Sequence, residues 1–130
     1  MIHCIILTTR KDDFLKFYQG LTEDSNCTIH WEESGKQAFD YLANNSVDLV
    51  IVDEVIADMD GITFAEQLIK KNPMMQCAVV SPLTPKEFHE ASEGLGIMMQ
   101  LPVNPDKEIG LKLVRQLNKI VELINKSKMR

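Results

Sequence analysis

Five short apolar runs, each followed by a stretch of helical periodicity, constrain this 130-residue chain more than any other feature. The runs are Cys4–Leu7, Cys27–Trp31, Leu49–Val52, Cys77–Val80 and Ile97–Leu101. The first, third and fourth are nearly continuous, as expected of strands covered on both faces. Cys27–Trp31 alternates more, with His30 and Glu32 among apolar neighbours, which places it nearer a sheet edge.

The intervening segments read as helices. Phe14, Leu15, Phe17, Tyr18 and Leu21 form one apolar stripe, with Asp12 or Asp13 available as N-cap. Ser34 can cap a second helix carrying Ala38, Phe39 and Leu42 on one face. Ala65, Leu68 and Ile69 mark a third, which "KKNP" stops. Thr84 and Pro85 open a fourth through Phe88 and Ala91. Leu113, Leu117, Ile120 and Ile124, flanked by Val114 and Val121, make the last and longest, and the basic end "NKSKMR" is expected to fray or to be a cut linker.

Five βα units of roughly 20–30 residues match what right-handed parallel crossovers need. The expectation is an α/β domain, a doubly wound five-stranded parallel sheet of order 2-1-3-4-5 with a flavodoxin-like (βα)5 fold. It occupies residues 1–130 as a single domain, without a linker, repeat or low-complexity tract.

Composition narrows the function. A net charge of −5 argues against a nucleic-acid surface, which needs clustered cations. No apolar run approaches the roughly 18–20 residues that cross a bilayer, and "MIHCIILTTR" lacks the basic start of a signal peptide. A cytoplasmic location is therefore expected. Cys4, Cys27 and Cys77 are odd in number, widely spaced and embedded in apolar runs, as free reduced thiols are. His3, His30 and His89 show no ligand spacing. Met74, Met75, Met98 and Met99 either fill gaps or form an adaptable contact surface.

In open parallel sheets ligands bind beyond the carboxyl ends of the strands, where strand order reverses. For order 2-1-3-4-5 that point lies between strands 1 and 3. Thr8 and Thr9 end strand 1, Asp53 ends strand 3, Ser81 ends strand 4 and Leu101-Pro102 ends strand 5. A strand-terminal aspartate there is either a loop starter that caps nearby amides or a functional carboxylate.

The stretch "VDLVIVDEVIADMDGITFAEQLI" (Val47–Ile69) resembles the centre of the receiver domain of two-component response regulators. There a strand ends in the phosphoacceptor aspartate, and an Asp-Gly turn follows before a helix. The resemblance runs through essentially the whole chain. It implies that Asp53 is the phosphoacceptor, served by a histidine kinase or phosphotransfer protein, and that Ser81 is the hydroxyl contacting the phosphoryl group. It also implies that the carbonyl of Val55 is a backbone Mg²⁺ ligand and that Leu101-Pro102 is a cis bond.

Several positions depart from the family pattern. Thr8 and Thr9 stand where it has its acid pair, Leu101 where it has its lysine, and Met98 where an aromatic often acts as a switch. Glu54 and Ala57 replace an apolar residue and a proline. Mg²⁺ needs one or two carboxylates beside phosphate oxygens, so weak binding is expected, and no other cofactor. Without neighbouring acids to repel it, Asp53 can stay ionised in the absence of metal. Arg10 and Lys11 could add positive charge, but they read chiefly as solvated loop cations beside Asp12 and Asp13.

The expected function is thus a non-enzymatic receiver domain of phosphorelay signalling with an atypical acceptor site. Within it, a degraded but working switch competes with a phosphorylation-independent pseudo-receiver. A partner protein would dock on the helix 4–strand 5–helix 5 face, and a second copy of the chain is left open as another partner. Nucleic acid and membrane are not expected partners of this domain. A small flavodoxin-like nucleotide or flavin binder is the distant alternative, disfavoured because "TTRKDD" has no glycine to wrap a phosphate.

Overall fold

The structure, a computed structural model, describes residues 1–23 and 26–128. Five parallel strands, β1 (Ile2–Leu7), β2 (Cys27–Glu32), β3 (Leu49–Val52), β4 (Gln76–Val80) and β5 (Met99–Leu101), form one sheet of order β2-β1-β3-β4-β5. The expected order holds, with β2 on an edge. Helices α1 (Leu15–Thr22), α2 (Gly35–Leu42), α3 (Gly61–Lys71), α4 (Pro85–Ala91) and α5 (Lys107–Lys128) cover both faces. β5 is shorter than its apolar run because Ile97 and Met98 precede the ladder.

Alternation along the strands sorts the core into two layers. Cys4 and Ile6 of β1, Leu49 and Ile51 of β3, Ala78 and Val80 of β4, and Leu101 of β5 face α1 and α5. Ile5, Leu7, Val50, Val52, Cys77 and Val79 face α2, α3 and α4. In the α1 stripe Phe14, Phe17 and Leu21 are buried, whereas Leu15 and Tyr18 remain exposed. Met74 is exposed, while Met75, Met98 and Met99 pack against the two layers.

The helix starts follow local chemistry. Ser34 accepts from the Gln37 N–H, and Thr84 with Glu87 forms a reciprocal capping box that opens α4 at Pro85. The expected caps at Asp12 and Asp13 do not form. Both residues lie inside a 3-10 turn, Lys11–Phe14, and neither Arg10 nor Phe14 at the helix starts makes a side-chain cap bond. The chain tightens there because the backbone is already held at Arg10, whose N–H is bound by the Thr8 hydroxyl. The basic end does not fray at its start: α5 continues to Lys128, and the last two residues lie outside the described ones.

No peptide bond among the described residues is cis, so Leu101-Pro102 is trans, contrary to expectation. Trans is the lower-energy form of an X–Pro bond by about 0.5–1 kcal/mol. The three cysteines are free thiols; the Cys4 and Cys27 sulfurs lie 3.5 Å apart across β1 and β2. Burial pushes the Cys77 thiol up to about 12, which leaves it unreactive at neutral pH.

Helices α1 and α5 cross at close range because Gly20 has no side chain. A Cβ at Gly20 would collide with the carbonyl oxygen of Lys107 at the start of α5. Gly20→Ala should therefore destabilise the fold by about 1–3 kcal/mol, overpacking outweighing the roughly 1 kcal/mol that alanine gains in helix propensity. Urea unfolding followed by circular dichroism measures the difference, and a stabilised variant would refute the close crossing.

Candidate functional site

The register of the central strands builds the site. Leu7 pairs with Val52, so the next residues, Thr8 and Asp53, emerge side by side at the carboxyl end of the sheet. The Asp53 N–H donates to the Leu7 carbonyl at 2.9 Å and the Thr8 N–H to the Glu32 carbonyl at 3.0 Å. Both residues are buried, Asp53 to 2% exposure and Thr8 to 3%.

A carboxylate this deep in the protein needs donors on both oxygens. The Thr8 hydroxyl donates to Asp53 Oδ2 at 2.7 Å, and the Glu54 N–H donates to Oδ1 at 2.8 Å. The remaining positions are filled by Arg10. Its Nε donates to Oδ2 at 2.8 Å and its Nη2 to Oδ1 at 3.0 Å, a two-pronged pair between a planar guanidinium and a carboxylate.

Arg10 is itself fully engaged. Nη1 donates to Asn104 Oδ1 at 2.9 Å and lies 3.6 Å from Asp13 Oδ2, and Nη2 also donates to the Val103 carbonyl. The guanidinium carbon sits 5.2 Å from the centre of the Phe14 ring. Hydrogen bonding to Asp53 is the main cause that raises the guanidinium's affinity for its proton above the ordinary value. Thr8 aims this side chain: its Oγ1 accepts the Arg10 N–H at 3.0 Å while donating to Asp53, turning the chain back over the strand end.

The other expected site residues are placed differently. Ser81 is buried, but its Oγ accepts the Leu83 N–H at 3.2 Å, and no hydrogen bond to Asp53 is formed. Gln100 on β5 donates to the Leu83 carbonyl at 2.8 Å, so the β4–α4 loop is held from both sides. Thr9 is exposed and lines a shallow outer groove with Arg10, Lys11, Asp12 and Asp13. Leu101 lies in the layer facing α1 and α5, and Met98 packs against that same layer. Val55 is exposed, on a loop closed by the pairs Gly61 N–H to Glu54 carbonyl, 2.8 Å, and Ile56 N–H to Met59 carbonyl, 2.9 Å.

Gly61 permits that closure, since a Cβ on it would strike the Asp53 carbonyl oxygen. Asp60 beside it caps α3 through the Thr63 N–H. Asp58, at the tip of the loop, accepts the N–H groups of Gly35 at 2.8 Å and Lys36 at 3.1 Å, which anchors the loop on the first turn of α2.

These residues do not fit a divalent cation. Mg²⁺ takes carboxylate, carbonyl and water oxygens. Here a single carboxylate has both oxygens committed to N–H and O–H donors, and a fixed positive charge faces it. Among the described residues no three His, Cys, Asp or Glu side chains are grouped to hold a metal ion.

Arg10 is the residue that sequence reasoning placed wrongly, on a solvated loop. The available signal was charge balance: a buried acid at Asp53, no lysine at Leu101, and one arginine two residues beyond Thr8. Asn104 gave no signal of its own.

A model of the response regulator receiver domain matches residues 5–110. The chain belongs to the response regulator receiver domain family. Over 68 residues it is 32% identical to the heme response regulator HssR of Staphylococcus epidermidis, covering 52% of this chain and 30% of that protein's length. The chain thus spans less than a third of that relative. The signal receiver domain of an HD domain-containing protein from Pseudomonas fluorescens Pf-5 superposes with a TM-score of 0.76 at 22% identity, covering 99% of this chain and 93% of that one. A CheY-like receiver domain from Methanospirillum hungatei JF-1 gives 0.76 at 16% identity, with 98% of each chain covered. Receivers are signalling modules of two-component systems that interact with histidine kinases and phosphotransfer proteins. No helix among the described residues is long and apolar enough to cross a membrane.

Two measurements test this geometry. Hydrogen bonds from the Gly35 and Lys36 amides hold the Asp58 carboxyl below its ordinary 3.8. A depressed folded value means the contact contributes above about 3.8 and is lost as pH falls through the folded value. In an NMR titration the Gly35 and Lys36 amides should keep their positions down to that pH and shift below it; a midpoint above it contradicts the anchor. Removing the cation should cost more than removing the charge it serves. Arg10→Ala strands a buried carboxylate and should destabilise by about 2–3 kcal/mol, less than a fully buried pair because Arg10 reaches solvent. Asp53→Asn lets the guanidinium rehydrate and should cost less. Urea unfolding of the two variants with the reverse ordering would reject the assignment.

Proposed function

We propose that this receiver works as a phosphorylation-independent interaction module, a pseudo-receiver, in which Asp53 serves as the permanent counterion of Arg10. The observation that carries this reading is the two-pronged Arg10–Asp53 pair, which occupies both carboxylate oxygens. Phosphoryl transfer to an aspartate needs a free oxygen as nucleophile, in line with the leaving group, and cations that neutralise the transferred phosphoryl charge. Here Oδ1 and Oδ2 each carry two donors, and the cation present stabilises the carboxylate that would have to attack. An ion-paired carboxylate is a poorer nucleophile, and the acid pair and lysine of the family pattern are replaced by Thr8, Thr9 and Leu101.

The Ser81 hydroxyl oxygen is likewise committed to its own turn. The domain then acts in the cytoplasm by presenting its α4–β5–α5 face to a partner protein, in a state set by folding instead of by a kinase. The single domain spans residues 1–130.

Incubating the protein with a small phosphodonor and Mg²⁺, followed by intact-mass spectrometry, tests the reading. The expected spectrum shows no phosphorylated species, and a Mg²⁺ titration shows no response that depends on Asp53. Substantial phosphorylation that disappears in Asp53→Ala would restore the ordinary switch.

A further inference from the structure

The same guanidinium that neutralises Asp53 also grips the loop between β5 and α5, and this points to a second role for it. We propose that Arg10 is a positioning residue that couples Asp53 to the β5–α5 loop, fixing the start of α5 and with it the α4–β5–α5 face. The inference rests on the pseudo-receiver reading and adds how that single state is held.

Three acceptors from two distant parts of the chain meet on one side chain: the Asp53 carboxylate after β3, and the Val103 carbonyl and Asn104 side-chain oxygen after β5. Planarity makes the arrangement directional. When Nε and Nη2 lie along the Asp53 carboxylate, the outer N–H groups of Nη2 and Nη1 are aimed away from it, towards Val103 and Asn104. A lysine could neutralise Asp53 but could not present this fork.

The loop is short and leads directly into α5. Pro105 is buried, and Asp106 accepts the Ile109 N–H at 3.0 Å at the helix start. Fixing Val103 and Asn104 therefore fixes where α5 begins, and α5 packs against α1 through Gly20 and Gly110. Leu101, buried in the layer that faces α1 and α5, has an apolar side chain and makes no polar link to Asp53, so the link comes from the β1 side. The β4–α4 loop is held separately by Ser81 and Gln100, which leaves Arg10 as the connection from Asp53 to the β5–α5 side.

Hydrogen exchange of the intact chain, read by mass spectrometry, tests the coupling. In Arg10→Lys, the amides of Ile109 and Gly110, which donate to Asp106 where the loop enters α5, should exchange about tenfold faster than in the wild type, while those of β1 and β3 keep their protection. Asn104→Ala should raise exchange at the same amides by a smaller factor without disturbing Asp53. Asp53→Asn should also loosen the loop, although Asp53 makes no hydrogen bond to it, and the double variant Arg10→Lys/Asp53→Asn should add nothing further. That non-additivity separates action through Arg10 from general destabilisation. Unchanged protection of these amides in both Arg10→Lys and Asn104→Ala would overturn the coupling, as would a uniform loss across the sheet. Phosphorylation of the wild type is a separate readout. An unphosphorylated protein whose loop ignores these substitutions loses the coupling alone, whereas a phosphorylated one loses the pseudo-receiver reading.

Discussion

A carboxylate removed from water must be matched by donors, and the surroundings of Asp53 are organised around that demand. Left unpaired, such a charge costs several kcal/mol or is neutralised by a proton. The chain meets the demand with a hydroxyl from β1, an amide from the next residue, and two N–H groups of Arg10. The attraction is strong because the carboxylate is buried, and directional because the guanidinium is flat. That combination turns charge compensation into a geometric constraint on the loops around the pocket.

Strand topology supplies the meeting point. In a parallel sheet of order 2-1-3-4-5 the ends of β1 and β3 adjoin, with connections leaving to opposite faces. Thr8 and Asp53 are neighbours for that reason, and the loop after β5 lies within reach of an arginine side chain. The resemblance read from the sequence implies a metal ion in this crevice. Here a side chain supplies the positive charge, and the oxygen-rich pocket a divalent cation prefers has become a donor-rich one.

Much of this was legible in the sequence. Continuous apolar runs identified the central strands, and the polar alternation of Cys27–Trp31 identified the edge. Ser34 and Thr84 declared their caps because a hydroxyl stood immediately before a helical pattern. Thr8 and Asp53 were brought together by topology alone. The misreadings just after β1 share one physical origin. Arg10, Asp12 and Asp13 were read through local rules, capping and solvation, which dominate exposed loops. At Arg10 a long-range demand for charge prevailed, and Asp12 and Asp13 lie in the 3-10 turn that follows instead of capping α1. Local sequence also gave no view of Asn104, whose partner lies 94 residues away.

That separation has a temporal meaning. Residues 10, 53 and 104 come together only when β1, β3 and β5 have taken their places, so the clamp is complete only when the domain is. A phosphoryl mark is written after synthesis and can be erased, giving each molecule a history. A bond between side chains of one chain has no history: every folded copy carries it. In the proposed pseudo-receiver state, the domain would inform its partners through the number of its copies and where they are.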